Sequence, residues 1–218
     1  GGPHSQMVRN SYQAQLRRWE MYMAQRGYVV FVMDNRGTSN RGAEYEKAIH
    51  KQCGQCEMQD QMAGMRWLMS HPWVDSNRIG VHGWSYGGFM ALTLATARPD
   101  IFKVTVAGGP VIDWKWYEVM YGERYMDTPQ TNPEGFEATS LLPKAANLGG
   151  RGLICQGRTC AYMSGDARRH RGMAACAEFH PEMHRGREAS GLLRLPPRKA
   201  QHGGARACTP PRENHRLF

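Results

Sequence analysis

The sequence predicts an α/β domain built on a mostly parallel sheet, and three observations predict it. Short apolar runs alternate with amphipathic stretches of helical length, in the order strand, helix, strand, helix, strand, which requires right-handed crossovers between parallel neighbours. The first of these runs, residues 28–33, is continuously apolar rather than alternating, as in a strand covered on both faces. Between the second run and its helix stands Gly83-Trp84-Ser85-Tyr86-Gly87, a G-x-S-x-G pattern in the setting of a sharp strand-to-helix turn.

In chain order, Gly1-Gly2-Pro3-His4 is a turn-forming start. Residues 12–25 carry Leu16, Trp19, Met21 and Met23 at spacings compatible with a helix, closed by Gly27. Residues 28–33, YVVFVM, predict a strand buried on both faces, and the polar, glycine-punctuated loop 34–42 follows at its carboxyl end, where open α/β sheets place their sites. Residues 59–70 predict an amphipathic helix with Met62, Met65, Trp67 and Leu68 inward, ended before Pro72. The second strand leads into the serine turn, and the helix after it runs to about Ala97, stopped by Pro99. A third strand is expected over 104–108 and a short fourth over 152–157.

The serine turn carries the chemistry. Gly83 and Gly87 leave no room for a Cβ where helix and strand pack closely, and Ser85 Oγ is left exposed above the sheet. A seryl hydroxyl is a poor nucleophile until a base takes its proton, so the reading demands an acid and a histidine later in the chain, in the order Ser, Asp, His. Between them, residues 111–121 are unusually aromatic, and Trp114, Tyr117 and Tyr121 share one face of a helix at i, i+3 and i+7. That spacing fits a core-facing stripe. With a nucleophile on an adjacent strand it fits an aromatic pocket for a substrate side chain at least as well.

Composition narrows the classes. The net charge of +9 is concentrated in residues 158–218, which hold 12 Lys and Arg against 5 Asp and Glu, so the body is near neutral and charge alone does not argue for nucleic acid. No apolar stretch approaches a membrane span. The six cysteines lack a disulfide rhythm, and Cys53-Gly54-Gln55-Cys56, with His50 before it, lacks the second ligand pair of a zinc site, so it reads as two cysteines in a loop before a helix.

GGPH at the start, DNRG from Asp34, RIGVHGWSYGGFM around Ser85, AGGPVIDW and YGERYM together resemble the catalytic domain of the prolyl oligopeptidase family of serine peptidases. The resemblance runs over residues 1–157 and is nearest the dipeptidyl-peptidase-IV branch, which includes bacterial prolyl tripeptidyl peptidases. It implies an α/β-hydrolase fold, incomplete at the C-terminus, and an exopeptidase that removes short peptides after proline or alanine through an acyl-enzyme, with no metal or organic cofactor. On that resemblance Ser85 is the nucleophile and Tyr86 gives its backbone N–H to the oxyanion hole. Val111, Trp114, Tyr117 and Tyr121 match the lining of a small pocket suited to the ring of proline. The family's β-propeller, and a tyrosine hydroxyl that is the second oxyanion donor, would both precede Gly1, so the chain reads as a fragment. The expected partner is a peptide substrate, and the resemblance admits a homodimer of the intact protein in a periplasmic or secreted location. An esterase or acylaminoacyl peptidase on the same fold is the nearest rival, because G-x-S-x-G does not choose the substrate.

The pattern breaks after Gly157. Segment 158–218 has no Val, Ile or Trp and holds Pro196-Pro197 and Pro210-Pro211, and it reads as a disordered, aberrant basic tail. Asp166, His170, His180, His184, His202 and His215 occur there, none in the family's context. Read one base later, the codons of 168–174 permit D-D-T-V-V-W-Q, the Trp being forced by Met173 followed by Ala174, and those of 195–203 permit Y-P-H-E-K-H-N-M-V. These are the shapes of the family's aspartate and histidine segments. The shifted codons of 161–165 permit L-I-C-Q-G, repeating Leu153 to Gly157, so a short imperfect tandem duplication accounts for both the shift and the extra residues. As written, the chain has Ser85 without its partners, and a non-catalytic gene remnant is the corresponding non-enzyme reading.

Overall fold

The computed structural model describes residues 2–11, 18–156 and 159–164. Helix α1, Arg18–Gln25, is the described part of the helix expected over 12–25; it buries Met23 but leaves Trp19 and Met21 exposed, and Leu16 lies outside the described residues. After Gly27 the run 28–33 forms no strand, contrary to expectation. Val29 is 55% exposed, and the run lines a cavity of about 820 Å³ together with residues 79–84. A ladder needs its partner backbone within roughly 5 Å. Here the Trp19 ring stands against His82 instead, with centroids 4.3 Å apart. The run is tied by side chains: Phe31 lies against Trp67, and Gln61 Nε2 donates to Met33 O at 3.2 Å.

The loop after it is pinned by charge. Arg36 places its Nε 3.0 Å and its Nη2 2.8 Å from Asp60 Oδ1, and its backbone N–H reaches Asp60 Oδ2 at 2.8 Å. A short helix α2, Ala43–Lys47, leads to α3, Gln55–Met69, which starts four residues earlier than expected. Met62, Met65 and Leu68 face inward as read, but Trp67 is 56% exposed. On a helical wheel Trp67 lies well off the stripe set by residues 62, 65 and 68, and its ring lies across Phe31 and His71 at the surface.

Strand β1, Ile79–Trp84, ends at Ser85, and helix α4, Tyr86–Ala97, follows at once. The sequence of α4 has no charged residue, so it is buried nearly all round; Thr93 and Thr96 satisfy their hydroxyls on Phe89 O and Leu92 O, both at 2.8 Å. Strand β2, Phe102–Gly108, pairs parallel to β1 with Val81 opposite Thr105 and Trp84 opposite Gly108. A 3₁₀ turn, Trp114–Trp116, then α5, Val119–Met126, and α6, Pro133–Thr139, lead to β3, Arg151–Gln156, parallel to β2 with Gly108 opposite Cys155. The three parallel strands have their carboxyl ends on one edge of the sheet, where Ser85 follows β1. Strand β4, Thr159–Ser164, pairs antiparallel to β3, so ordered backbone extends into the segment read as a disordered tail. The remainder of that tail, 165–218, lies outside the described residues.

Candidate active site

Ser85 sits at φ 58°, ψ −119°, a conformation that a non-glycine residue holds at a cost of about 1–3 kcal/mol and only when its surroundings enforce it. Its N–H donates to Gly108 O on β2 at 2.7 Å, and its carbonyl accepts from Phe89 N–H at 3.1 Å. The glycines around it are sterically required. A Cβ on Gly83 would collide with the Gly87 carbonyl, and one on Gly88 would lie 2.7 Å from Gly108 O. Helix and strand are therefore in backbone contact, and the turn between them has no room to relax. As the first residue of α4, Tyr86 has no intrahelical acceptor for its N–H, which lies beside Ser85 at the positive end of the helix.

The Tyr86 side chain runs inward, where its hydroxyl donates to Glu57 Oε1. Glu57 is 1% exposed, and its other oxygen accepts from Gly54 N–H at 2.8 Å and Cys56 Sγ at 3.5 Å. Burial raises the Glu57 pKa above its ordinary value, with the Tyr86 and backbone hydrogen bonds opposing, and burial likewise pushes the Tyr86 phenol well up. Tyr86 is thus bolted to the first turn of α3. Sequence reasoning did not single out Glu57. The available signal was Gly54-x-x-Glu57 ahead of an apolar helix, half of a capping box. Cys53 and Cys56 lie beside this carboxyl as free thiols, and burial pushes Cys56 up to about 12, which suits packing rather than reactivity. His50 turns away from them, to Asp127 at 2.9 Å. Among the described residues, no group of three His, Cys, Asp or Glu side chains is placed to hold a metal ion.

The aromatic residues gather, though not on one helix as expected. Asp113 caps the 3₁₀ turn through Lys115 N–H, Tyr117 is extended, and α5 begins only at Val119. The rings meet all the same. Trp114 stacks on Tyr121 at 6.0 Å and 9°, Tyr117 stands edge-on to both, and Trp114 lies 5.6 Å from Tyr86. Trp114, 1% exposed, and Val111 belong to the core, whereas Tyr117 and Tyr121 are half-buried and reach the surface. Among the described residues no imidazole or carboxylate hydrogen-bonds Ser85 Oγ, and Asp166, His170, His180, His184, His202 and His215 lie outside them.

A parallel sheet, and a strained serine between strand and helix with the first amide of that helix beside it, are the architecture of the α/β-hydrolase fold. The chain belongs to the prolyl oligopeptidase family, whose sequence profile matches residues 14–163, and is by family a serine hydrolase of the dipeptidyl-peptidase-IV type. It is 41% identical over 146 residues to human dipeptidyl peptidase 8, covering 66% of this chain and 16% of that protein, so it spans about a sixth of that relative's length. A Bacteroides ovatus protein assigned as a dipeptidyl aminopeptidase IV superposes with a TM-score of 0.69 at 54% identity, over 72% of this chain and 22% of the other. Porphyromonas gingivalis dipeptidyl peptidase 4 gives 0.68 at 36% identity, over 82% and 25%. No helix among the described residues is long and apolar enough to cross a membrane.

Proposed function

We propose that Ser85 is the nucleophile of a serine exopeptidase that cleaves peptides after proline or alanine through an acyl-enzyme. The chain as written does not turn over in this reading, because no aspartate and histidine in the family's context follow Ser85. The observation that carries the proposal is Ser85 held in a strained conformation at the end of β1, with the Tyr86 N–H beside it. In the reaction Ser85 Oγ adds to the scissile carbonyl as a base takes its proton, and the Tyr86 N–H donates to the resulting oxyanion. The C–N bond then breaks, the amine departs with the proton, and water releases the acyl group. Tyr117 and Tyr121, backed by Trp114 and Val111, offer a flat apolar surface for a pyrrolidine ring, and relatives named dipeptidyl peptidases support release of short peptides.

The test is fluorophosphonate labelling of two purified proteins, the chain as written and one whose reading frame is restored after codon 157. Labelling at Ser85 is expected in the restored protein and not in its Ser85→Ala variant, with the chain as written slower by about 10⁴-fold or more, as for loss of a triad base. A restored protein that does not label overturns the peptidase reading. Normal labelling of the chain as written overturns the claim that it is inactive.

A further inference from the structure

One ring away from the aromatic cluster lies a second cavity, of about 530 Å³, within the size range of sites for small organic ligands. Its floor is apolar, made by Ile49, Tyr125 and Ala43, and its rim is basic, made by His4, Lys47, His50 and Arg124 with Glu46 as the one acid. The rim charges are not equivalent. Glu46 is taken by His4 at 3.4 Å, and His50 is taken by Asp127 at 2.9 Å, which also holds Lys51 at 2.9 Å. Lys47 and Arg124 have no carboxylate within ion-pair distance among the described residues, so two cations stand unneutralised over an apolar floor.

The two segments that line the cavity, 43–50 and 124–125, are tied together by the residues that follow each of them. Lys51 N–H donates to Tyr125 O at 2.7 Å, and Asn132 Nδ2 donates to Lys51 O and Met126 O at 3.0 and 2.9 Å. Lys51 and Asp127, which pair with each other just beyond those segments, both hold positive φ, at 66° and 56°. Strain of this kind persists where surroundings impose it, and it gathers at ligand sites. Tyr125 also connects the cavity to the candidate active site: its ring packs edge-on to His4 at 5.0 Å and lies 5.2 Å from Tyr121, which stacks on Trp114.

We infer that this cavity is a binding site for a carboxylate carried on a short apolar stem, its oxygens meeting Arg124 and Lys47 and its stem lying on Ile49 and Tyr125. That the ligand comes from a peptide, as an acidic side chain or a free C-terminus, rests on the peptidase reading; the binding itself does not. The full chain is titrated by calorimetry with three probes: N-acetyl-leucine, the α-methylamide of N-acetyl-glutamate, and the neutral N-acetyl-leucinamide. Both carboxylates are expected to bind and the amide not to. Tighter binding of the first assigns the site to a peptide C-terminus, and of the second to an acidic side chain; either supports the site. Arg124→Gln and Lys47→Gln should each weaken carboxylate binding about threefold to tenfold, the worth of one solvent-exposed charge-assisted contact. Both residues are exposed, and unchanged circular dichroism and melting temperature show that such a loss is local. Equal binding of the amide, or a double variant that binds as the parent does, overturns the inference. Ser85→Ala should bind the carboxylates unchanged, so a failure of Ser85 labelling in the restored protein sinks the peptidase reading and leaves this site standing.

Discussion

Glu57→Gln probes the bolt between α3 and the serine turn. The carboxyl group receives three donors: Tyr86 O–H, Gly54 N–H and Cys56 S–H. Glutamine keeps one acceptor oxygen, so its amide nitrogen must face a donor, and a buried donor left unpaired costs about 1–3 kcal/mol. The pH dependence then carries a sign. Burial raises the Glu57 pKa above its ordinary 4.5, so the folded protein holds this proton more tightly than the unfolded chain does. The stability it contributes is full below the unfolded value and is lost as pH rises through the folded one. Glutamine does not titrate. The advantage of the parent over Glu57→Gln should therefore be largest below pH 4.5 and shrink as pH rises from there through the raised folded value, by roughly 1.4 kcal/mol for each unit by which that value is raised. Urea unfolding of both proteins across that range measures it, and titrations common to both cancel in the difference. A gap that widens with pH would mean that the three donors stabilise the anion more than burial penalises it, and the reasoning would be refuted.

The other expectations follow from steric fit and burial. Ser85→Gly removes the penalty of a positive φ and should raise stability by about 1 kcal/mol net of glycine's extra chain entropy, read as a higher urea midpoint; an unchanged midpoint would mean the turn is not strained. Gly83→Ala drives a methyl into the Gly87 carbonyl and should cost at least about 2–3 kcal/mol, since α4 cannot retreat without breaking its contacts on β2; parental stability would show that it can. Trp114→Ala should cost about 3–5 kcal/mol as a core truncation, whereas Trp116→Ala, at a half-exposed ring two residues on, should stay within about 0.5 kcal/mol. In the frame-restored protein, Tyr117→Ala should depress cleavage of proline substrates far more than hydrolysis of small esters, measured as kcat/KM for each; equal losses would move the substrate pocket away from Tyr117.

The elements legible in the sequence are those whose residues admit one local solution. Gly83 and Gly88 specify a close strand-to-helix turn because a Cβ at either would strike backbone, α4 ends at Ala97 as read, and β2 and β3 fall within two residues of their expected bounds. Run 28–33 is apolar without being a strand, because apolar content says that a segment avoids water, not which neighbour it pairs with. The hydrophobicity of Trp67 points inward, but Met62, Met65 and Leu68 already fill that face of α3. The pairing of Glu57 with Tyr86 joins residues 29 apart and leaves no periodic trace. The aromatic cluster was found for an incomplete reason: helical spacing brought Trp114, Tyr117 and Tyr121 together on paper, whereas a capped 3₁₀ turn and an extended Tyr117 bring them together in the fold.

The β3–β4 hairpin has a kinetic consequence. Its six residue pairs, from Arg151 with Ser164 to Gln156 with Thr159, close across a two-residue connection, whereas β3 meets β2 only after more than forty residues of intervening chain. Hairpins of this kind form in about 1–10 μs, long before parallel pairings of high sequence separation. The outer edge of β3 is therefore occupied before the sheet assembles. Any later segment that would add to β3 in parallel must first strip β4 away, so strand exchange at this edge, rather than collapse of the core, sets how fast the sheet could grow beyond it.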